Sequence, residues 1–251
     1  MPDSSVNVND STNRPTGHFE TTLWTVVLQA GSTETTQSRS ALEHLCRAYW
    51  HPLYCYVRRR GHSAPDAQDL VQGFFADLIK NNPFSKLSPD QGRFRAFLLA
   101  AMNYFLSGDY DRRNAAKRGG GIAPLSLDEP TAEQRYLQAP ASVLSPEREF
   151  DRRWALAVLE HALDALTAEQ TAAGKQKLFE KLQPFLTDAT GRSDYSHVAA
   201  ELEMAANAVA VAVHRLRERY HQLVRAHVAG TVGASGDVET EMRELLEAIR
   251  G

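Results

Sequence analysis

The chain has 251 residues, 43% of them hydrophobic, with a formal net charge of −3. That length suits one large domain or two small ones, and that apolar content suits a folded chain. The slightly acidic total excludes a wholly basic nucleic-acid coat but leaves room for a local basic patch. No apolar run approaches the ~18 residues of a transmembrane span.

Residues 1–18 open with "MPDSSVNVNDSTNRPTG", which is polar and lacks the apolar stretch of a signal peptide; it reads as a disordered leader. In "FETTLWTVVLQAG", Leu23, Val26, Val27 and Ala30 recur at helical spacing. "SALEHLCRAYWHPLYCYVRRRG" follows as one long helix, open to a bend at Pro52 and ending in Arg58, Arg59 and Arg60. Its cysteines, Cys46 and Cys55, lack C-x-x-C spacing and read as reduced core thiols, which fits a reducing cytosol.

The next helix, "SAPDAQDLVQGFFADLIK", begins with Ser63 and Asp66 in an S-x-x-D capping box. At 100° per residue Ala67, Leu70, Val71, Phe74, Phe75 and Leu78 gather on one side as a core face. Asp66, Asp69, Gln72 and Asp77 collect opposite, with Gly73 and Ala76 between them. A mid-helix glycine costs about 1 kcal/mol against alanine. Here it bares backbone within an acidic face, which suits docking of a partner carrying Arg or Lys, or else the face is simply solvated.

"GRFRAFLLAAMNYFLSGDYDRRNAAKRGGG" interleaves Phe94, Phe97, Tyr104, Phe105 and Tyr110 with Arg93, Arg95, Arg112, Arg113, Lys117 and Arg118. Rings that stack on unpaired bases beside cations that hold phosphates suit single-stranded nucleic acid. Phe97 and Phe105 also fit a core. Asp109 and Asp111 lie close in sequence, but no histidine or further acid stands at ligand spacing, so we expect no metal site and no cofactor.

Residues 122–146 hold four prolines and no stable period, and read as a flexible linker. "EREFDRRWALAVLEHALDAL" restarts the helical pattern, and "KQKLFEKLQPFL" continues it. "YSHVAAELEMAANAVAVAVHRLRER" then has the spacing of a helix-turn-helix. Val198, Ala199 and Leu202 would line a short first helix, Met204 would plug the turn, and Val209, Val213 and Leu216 would face the core from the second. Its other side carries Asn207, Ala210, His214 and Arg217, flanked by Arg215 and Arg219. Small residues first and arginines later suit groove entry and phosphate contact. Glu203 stands where such a turn usually takes glycine.

"DVETEMRELLEAIRG" closes the chain as an amphipathic helix, with Asp237 as N-cap, Met242, Leu245, Leu246 and Ile249 on one face, and an acidic face opposite. Such a helix either packs on the second domain or covers the arginines of the DNA-reading helix. The expected fold is all-α: two small helical domains, 19–121 and 147–230, joined by a flexible linker, the second containing a helix-turn-helix, with a C-terminal amphipathic helix in 231–251.

The order of these parts resembles bacterial RNA polymerase sigma factors of the extracytoplasmic-function type, over roughly Phe19 to Val228. "DAQDLVQGFF", "FRAFLLAAMN" and "YDRRNAAKRG" look like successive parts of sigma region two, and "YSHVAAELEM…VHRLRERYHQL" like sigma region four. The resemblance implies a cytoplasmic, non-catalytic subunit, monomeric when free, that joins core polymerase at the β′ clamp helices and the β flap. Asp66, Asp69, Leu70, Gln72 and Gly73 would dock on core polymerase. Phe94, Arg95, Phe97, Asn103, Tyr104, Arg112, Arg113, Lys117 and Arg118 would open and hold the minus-ten element as single strand. Asn207, Ala210, His214, Arg215, Arg217 and Arg219 would meet the duplex at the minus-thirty-five element. An anti-sigma factor or other regulator is a further partner it allows. Family members often carry tryptophan where Phe97 stands, and Lys or Arg where Ala210 and Ala212 stand. A helix-turn-helix regulator that does not bind core polymerase is the alternative; it would need neither the Gly73 face nor the aromatic helix.

Overall fold

The computed structural model describes residues 36–81, 93–115, 129–138, 144–186, 195–232 and 237–250. Within them the fold is all-α, with nine α-helices and one short 3₁₀ turn. The expected leader and the helix over Leu23–Ala30 lie outside the described residues. In chain order the helices are α1 (Thr36–Arg59), α2 (Ala64–Asn81), α3 (Phe94–Ala115), α4 (Glu129–Gln138), α5 (Pro146–Ala172), α6 (Gln176–Leu182), α7 (Ser196–Glu201), α8 (Ala206–Ala229) and α9 (Val238–Arg250). None of them is long and apolar enough to cross a membrane.

Local chemistry sets the ends. α1 keeps Pro52 inside it and stops at Gly61, whose φ of 92° is readily adopted only by a residue without Cβ. Ser63 caps α2: its Oγ accepts from Asp66 N at 3.3 Å and its hydroxyl donates to Asp66 Oδ2 at 2.7 Å. Ser145 caps α5 ahead of Pro146, and Gly174, at φ 69°, turns the chain into α6.

The core face expected on α2 is buried in full: Ala67, Leu70, Val71, Phe74, Phe75 and Leu78. It packs with α1 and α3, whose Tyr49 and Phe94 rings meet edge-on at 5.1 Å. Cys46 and Cys55 are buried free thiols in that core, and burial pushes the Cys55 thiol up to about 12.

The chain does not divide at the expected linker. α1 packs most extensively on α5, which lies beyond it. Phe150, Trp154, Ala155, Val158 and Ala162 of α5 join the large cluster, while Leu166 of the same helix joins a second one. α8 behaves alike: Val209, Val213 and Leu216 belong to the second cluster, Val224 and Val228 to the first. A helix of 27 residues reaches about 40 Å, long enough for its two ends to serve two cores.

Part of the expected linker is itself a helix fastened to α1. On α4, Ala132 is buried and Glu133 accepts from Arg58 Nε and Nη2 at 3.1 and 2.9 Å and from the Tyr54 hydroxyl. Arg58 also lies 5.0 Å from the centre of the Tyr136 ring.

Candidate nucleic-acid interface

Most of the second cluster supports one construction: a short helix, a tight turn and a long helix. Ala199 is buried, and Val198, Leu202 and Met204 pack partly buried against α8's Val209, Val213 and Leu216, in the positions the sequence assigned. Met204 N donates to Ala199 O at 2.9 Å and closes the turn. Glu203 does occupy the left-handed region, at φ 51°. That backbone costs a residue with a Cβ roughly 1–2 kcal/mol, so the turn geometry holds in spite of the residue there.

The first half of α8 stays accessible. Asn207, His214 and Arg215 are exposed, and so is Val211. Asn207, Ala208, Val211 and Arg215 line a groove of about 660 Å³ shared with Lys175 and Leu178 at the start of α6. The exposed sector is therefore turned from the one read in the sequence. Ala210 sits half-buried on its edge. Arg217 is half-buried and clamps a carbonyl: its Nε and Nη2 donate to Phe185 O at 3.0 and 2.6 Å. Arg219 is exposed but paired with Glu169 of α5, Nε to Oε2 at 2.9 Å and Nη2 to Oε1 at 2.6 Å. That pairing pulls Glu169 below the usual carboxylate range. Of the three arginines assigned to phosphates, two thus have internal partners. Val211 and Lys175 were missed; the i, i+4, i+8 spacing of Asn207, Val211 and Arg215 was the available signal.

On α3 the correction is larger. Phe94 is fully buried, in ring contact with Tyr49 and Phe97, and so is a core residue. Phe97 and Phe105 pack partly buried against the same core. Arg95 is buried and meets Glu241, Glu244 and Asp151, with its guanidinium 4.4 Å from the centre of the Trp154 ring. Burial opposes its charge, but Glu241 and Asp151 more than offset that and raise its pKa. Asn103 is held at the end of α1, where its Oδ1 accepts from the Tyr56 hydroxyl and Arg60 Nη1, both at 2.5 Å. Tyr104, 82% exposed, stands out from this helix. Arg112 and Arg113 fall on α3; Lys117 and Arg118 lie outside the described residues.

On α2 Asp66 and Asp69 are exposed and Gln72 half-buried. Leu70 is a core residue and offers no side chain to a partner. Gly73 does not open onto the acidic face: a Cβ there would touch Phe105 Cζ at 3.5 Å, so it faces the packing between α2 and α3. Among the described residues no group of three His, Cys, Asp or Glu side chains could hold a metal ion. Compared with known families, curated proteins and solved structures, the chain matches none.

Proposed function

We propose that this chain is a transcription-initiation subunit of the extracytoplasmic-function sigma type, acting in the cytoplasm without catalysis. It would join core RNA polymerase and carry it to promoter DNA. The reading is carried by one observation: α7 turns across α8, and the first half of α8 is left accessible with Asn207, Val211, His214 and Arg215 on its surface. In a helix so mounted, early residues reach base edges and later cations reach phosphates. Asn207 takes the first role and Arg215 the second.

Two other surfaces support the polymerase part of the reading. Asp66 and Asp69 project from α2 and suit a cationic partner helix. Tyr104 offers a ring for an unpaired base, a contact worth about 1–3 kcal/mol. The test is reconstitution of the full chain with core polymerase. Co-elution and initiation from a specific promoter are expected, with Tyr104→Ala impaired in opening the duplex but not in binding it. Sequence-specific DNA binding without co-elution would leave a helix-turn-helix regulator. The burial of Leu70 and Phe94 favours that second reading, because it reduces both supporting surfaces to fewer residues.

A further inference from the structure

Arg93 and Arg95 stand at the entrance of α3, where cations alternate with aromatic rings, yet both are turned toward the C-terminal helix. Arg95 Nε donates to Glu241 Oε1 at 3.0 Å, and its Nη2 donates to Glu241 Oε2 at 3.2 Å and to Glu244 Oε2 at 2.7 Å. Arg93 Nε lies 3.0 Å from Glu241 Oε2, and its Nη1 bonds Glu244. Asp151 of α5 completes the set. Two guanidiniums two positions apart in the sequence bind carboxylate oxygens here, and the same donor forks match the oxygens of a phosphate.

α9 is also held by apolar packing on α5 and α8. Leu245 is its one fully buried apolar residue among those described; Val238, Met242, Ala248 and Ile249 are partly buried, and Leu246, expected on the same face, is exposed. Asp237 caps the helix by accepting from Glu239 N at 3.0 Å, and Glu239 pairs with Arg225 of α8. The junction is continued by backbone, where Phe94 N donates to Thr231 O at 3.2 Å. The acidic helix therefore lies over the start of α3, and not over the groove-lining half of α8.

We propose that Arg93 and Arg95 form an anion-binding site that the chain fills with its own C-terminal carboxylates, and that a nucleic-acid backbone displaces α9 to reach it. The partner class, a polyanionic strand, rests on the nucleic-acid part of the function proposed above. Phosphates would take over the oxygen contacts now made by Glu241 and Glu244, so α9 acts as an autoinhibitory cover.

The test uses the full chain and a labelled oligothymidylate. Glu241→Gln with Glu244→Gln should tighten binding about five-fold or more at low salt, with the gain shrinking as salt rises. Glu244→Gln alone, at the more exposed carboxylate, should give part of the gain, and guards against misfolding of the double variant. An added Arg93→Gln should abolish the gain. Trypsin should cut after Arg243, on the displaced α9, faster once the oligonucleotide is bound. Unchanged affinity in a folded Glu244→Gln chain, or tryptic protection that survives binding, would overturn the proposal. A chain that joins core polymerase but shows no gain keeps the proposed function and loses the cover. A gain without polymerase binding keeps the cover and loses the sigma role.

Discussion

Two seams of this molecule are closed by the same pair of chemical groups, a guanidinium and a carboxylate bonded through two hydrogen bonds each. At the α3–α9 seam the Arg95 and Glu241 side chains are 10% and 1% exposed. At the α5–α8 seam Arg219 and Glu169 are 46% and 38% exposed. The outer bonds are the shorter, 2.9 and 2.6 Å against 3.0 and 3.2 Å, so distance does not make the inner pair the more important. Burial does. Water can solvate either partner at the outer seam if the other is lost, whereas at the inner seam a buried charge loses a partner that water cannot replace. The inner pair thus fixes how the start of α3 meets α9, and the outer pair decorates a contact that apolar packing already makes.

Removing one inner partner is the strongest way to break this comparison. Arg95→Met leaves buried Glu241 with Arg93 as its remaining cation, and should cost up to about 3–5 kcal/mol of stability. Joint replacement of Arg95 and Glu241 by apolar residues of similar size should recover much of that loss. Denaturant unfolding of the two single variants and the double variant measures the coupling. Additive losses would mean that the pair acts as two separate surface charges, and the two seams would then be alike.

Acid sharpens the comparison by adding a third site, half-buried. His51 lies between α1, α4 and α5, with its Nε2 3.6 Å from Cys55 Sγ. Burial first, then the charges of Arg153 and Arg135, push its imidazole down to about 4, against a weaker opposing pull from Glu149. Between about pH 6.5 and 4 the unfolded chain therefore binds more protons at this site than the folded one. The stability His51 contributes is full above the unfolded value and is lost as pH falls through the folded one, on the order of 3 kcal/mol in all. Glu244 and Glu169, both lowered chiefly by hydrogen bonds from arginine, lose their contributions further down, as pH falls through their own depressed values. His51→Gln should flatten the upper part of the stability profile and leave the lower part. An unchanged slope between pH 6.5 and 4.5 would mean that the ring is solvated.

Apolar spacing was legible because each helix carries its own record of it. Six positions of α2 and three of α8 are buried where a period of 3.6 puts them, and Ser63 and Asp237 cap where their side chains allow. The partners of the arginines were not legible. Arg95 finds Glu241 at 146 positions along the chain and Arg219 finds Glu169 at 50, and nothing local in either segment encodes the meeting. A cation beside aromatic rings reads equally as a nucleic-acid surface or as one half of a buried ion pair. The expected linker failed for a similar reason: its prolines are real, but Ala132, Glu133 and Tyr136 between them are matched to Tyr54 and Arg58 of a distant helix. Glu203 was read as an objection to the turn, yet the neighbouring contacts of Met204 and Leu202 impose the left-handed backbone regardless.

The smallest effect on stability belongs to the outer seam, and its value lies in separating structure from function there. Arg219→Gln keeps a polar side chain with a donor group, though a shorter one, and removes a charge that is already solvated. Its melting midpoint should match that of the parent, in contrast with Arg95→Met under the same conditions. Nucleic-acid binding provides the second readout. Arg215 and Arg219 both line the groove beside Asn207 and Val211, but Arg219 is engaged by Glu169. If phosphates are held from the groove side, Arg215→Gln should lower the salt slope of duplex binding by about one unit, and Arg219→Gln by less. Equal slopes for the two variants would mean that Glu169 releases Arg219 on binding. In that case the outer pair, as proposed for the inner one, is a cation kept occupied until a phosphate arrives, and the two seams would differ only in how firmly they are shut.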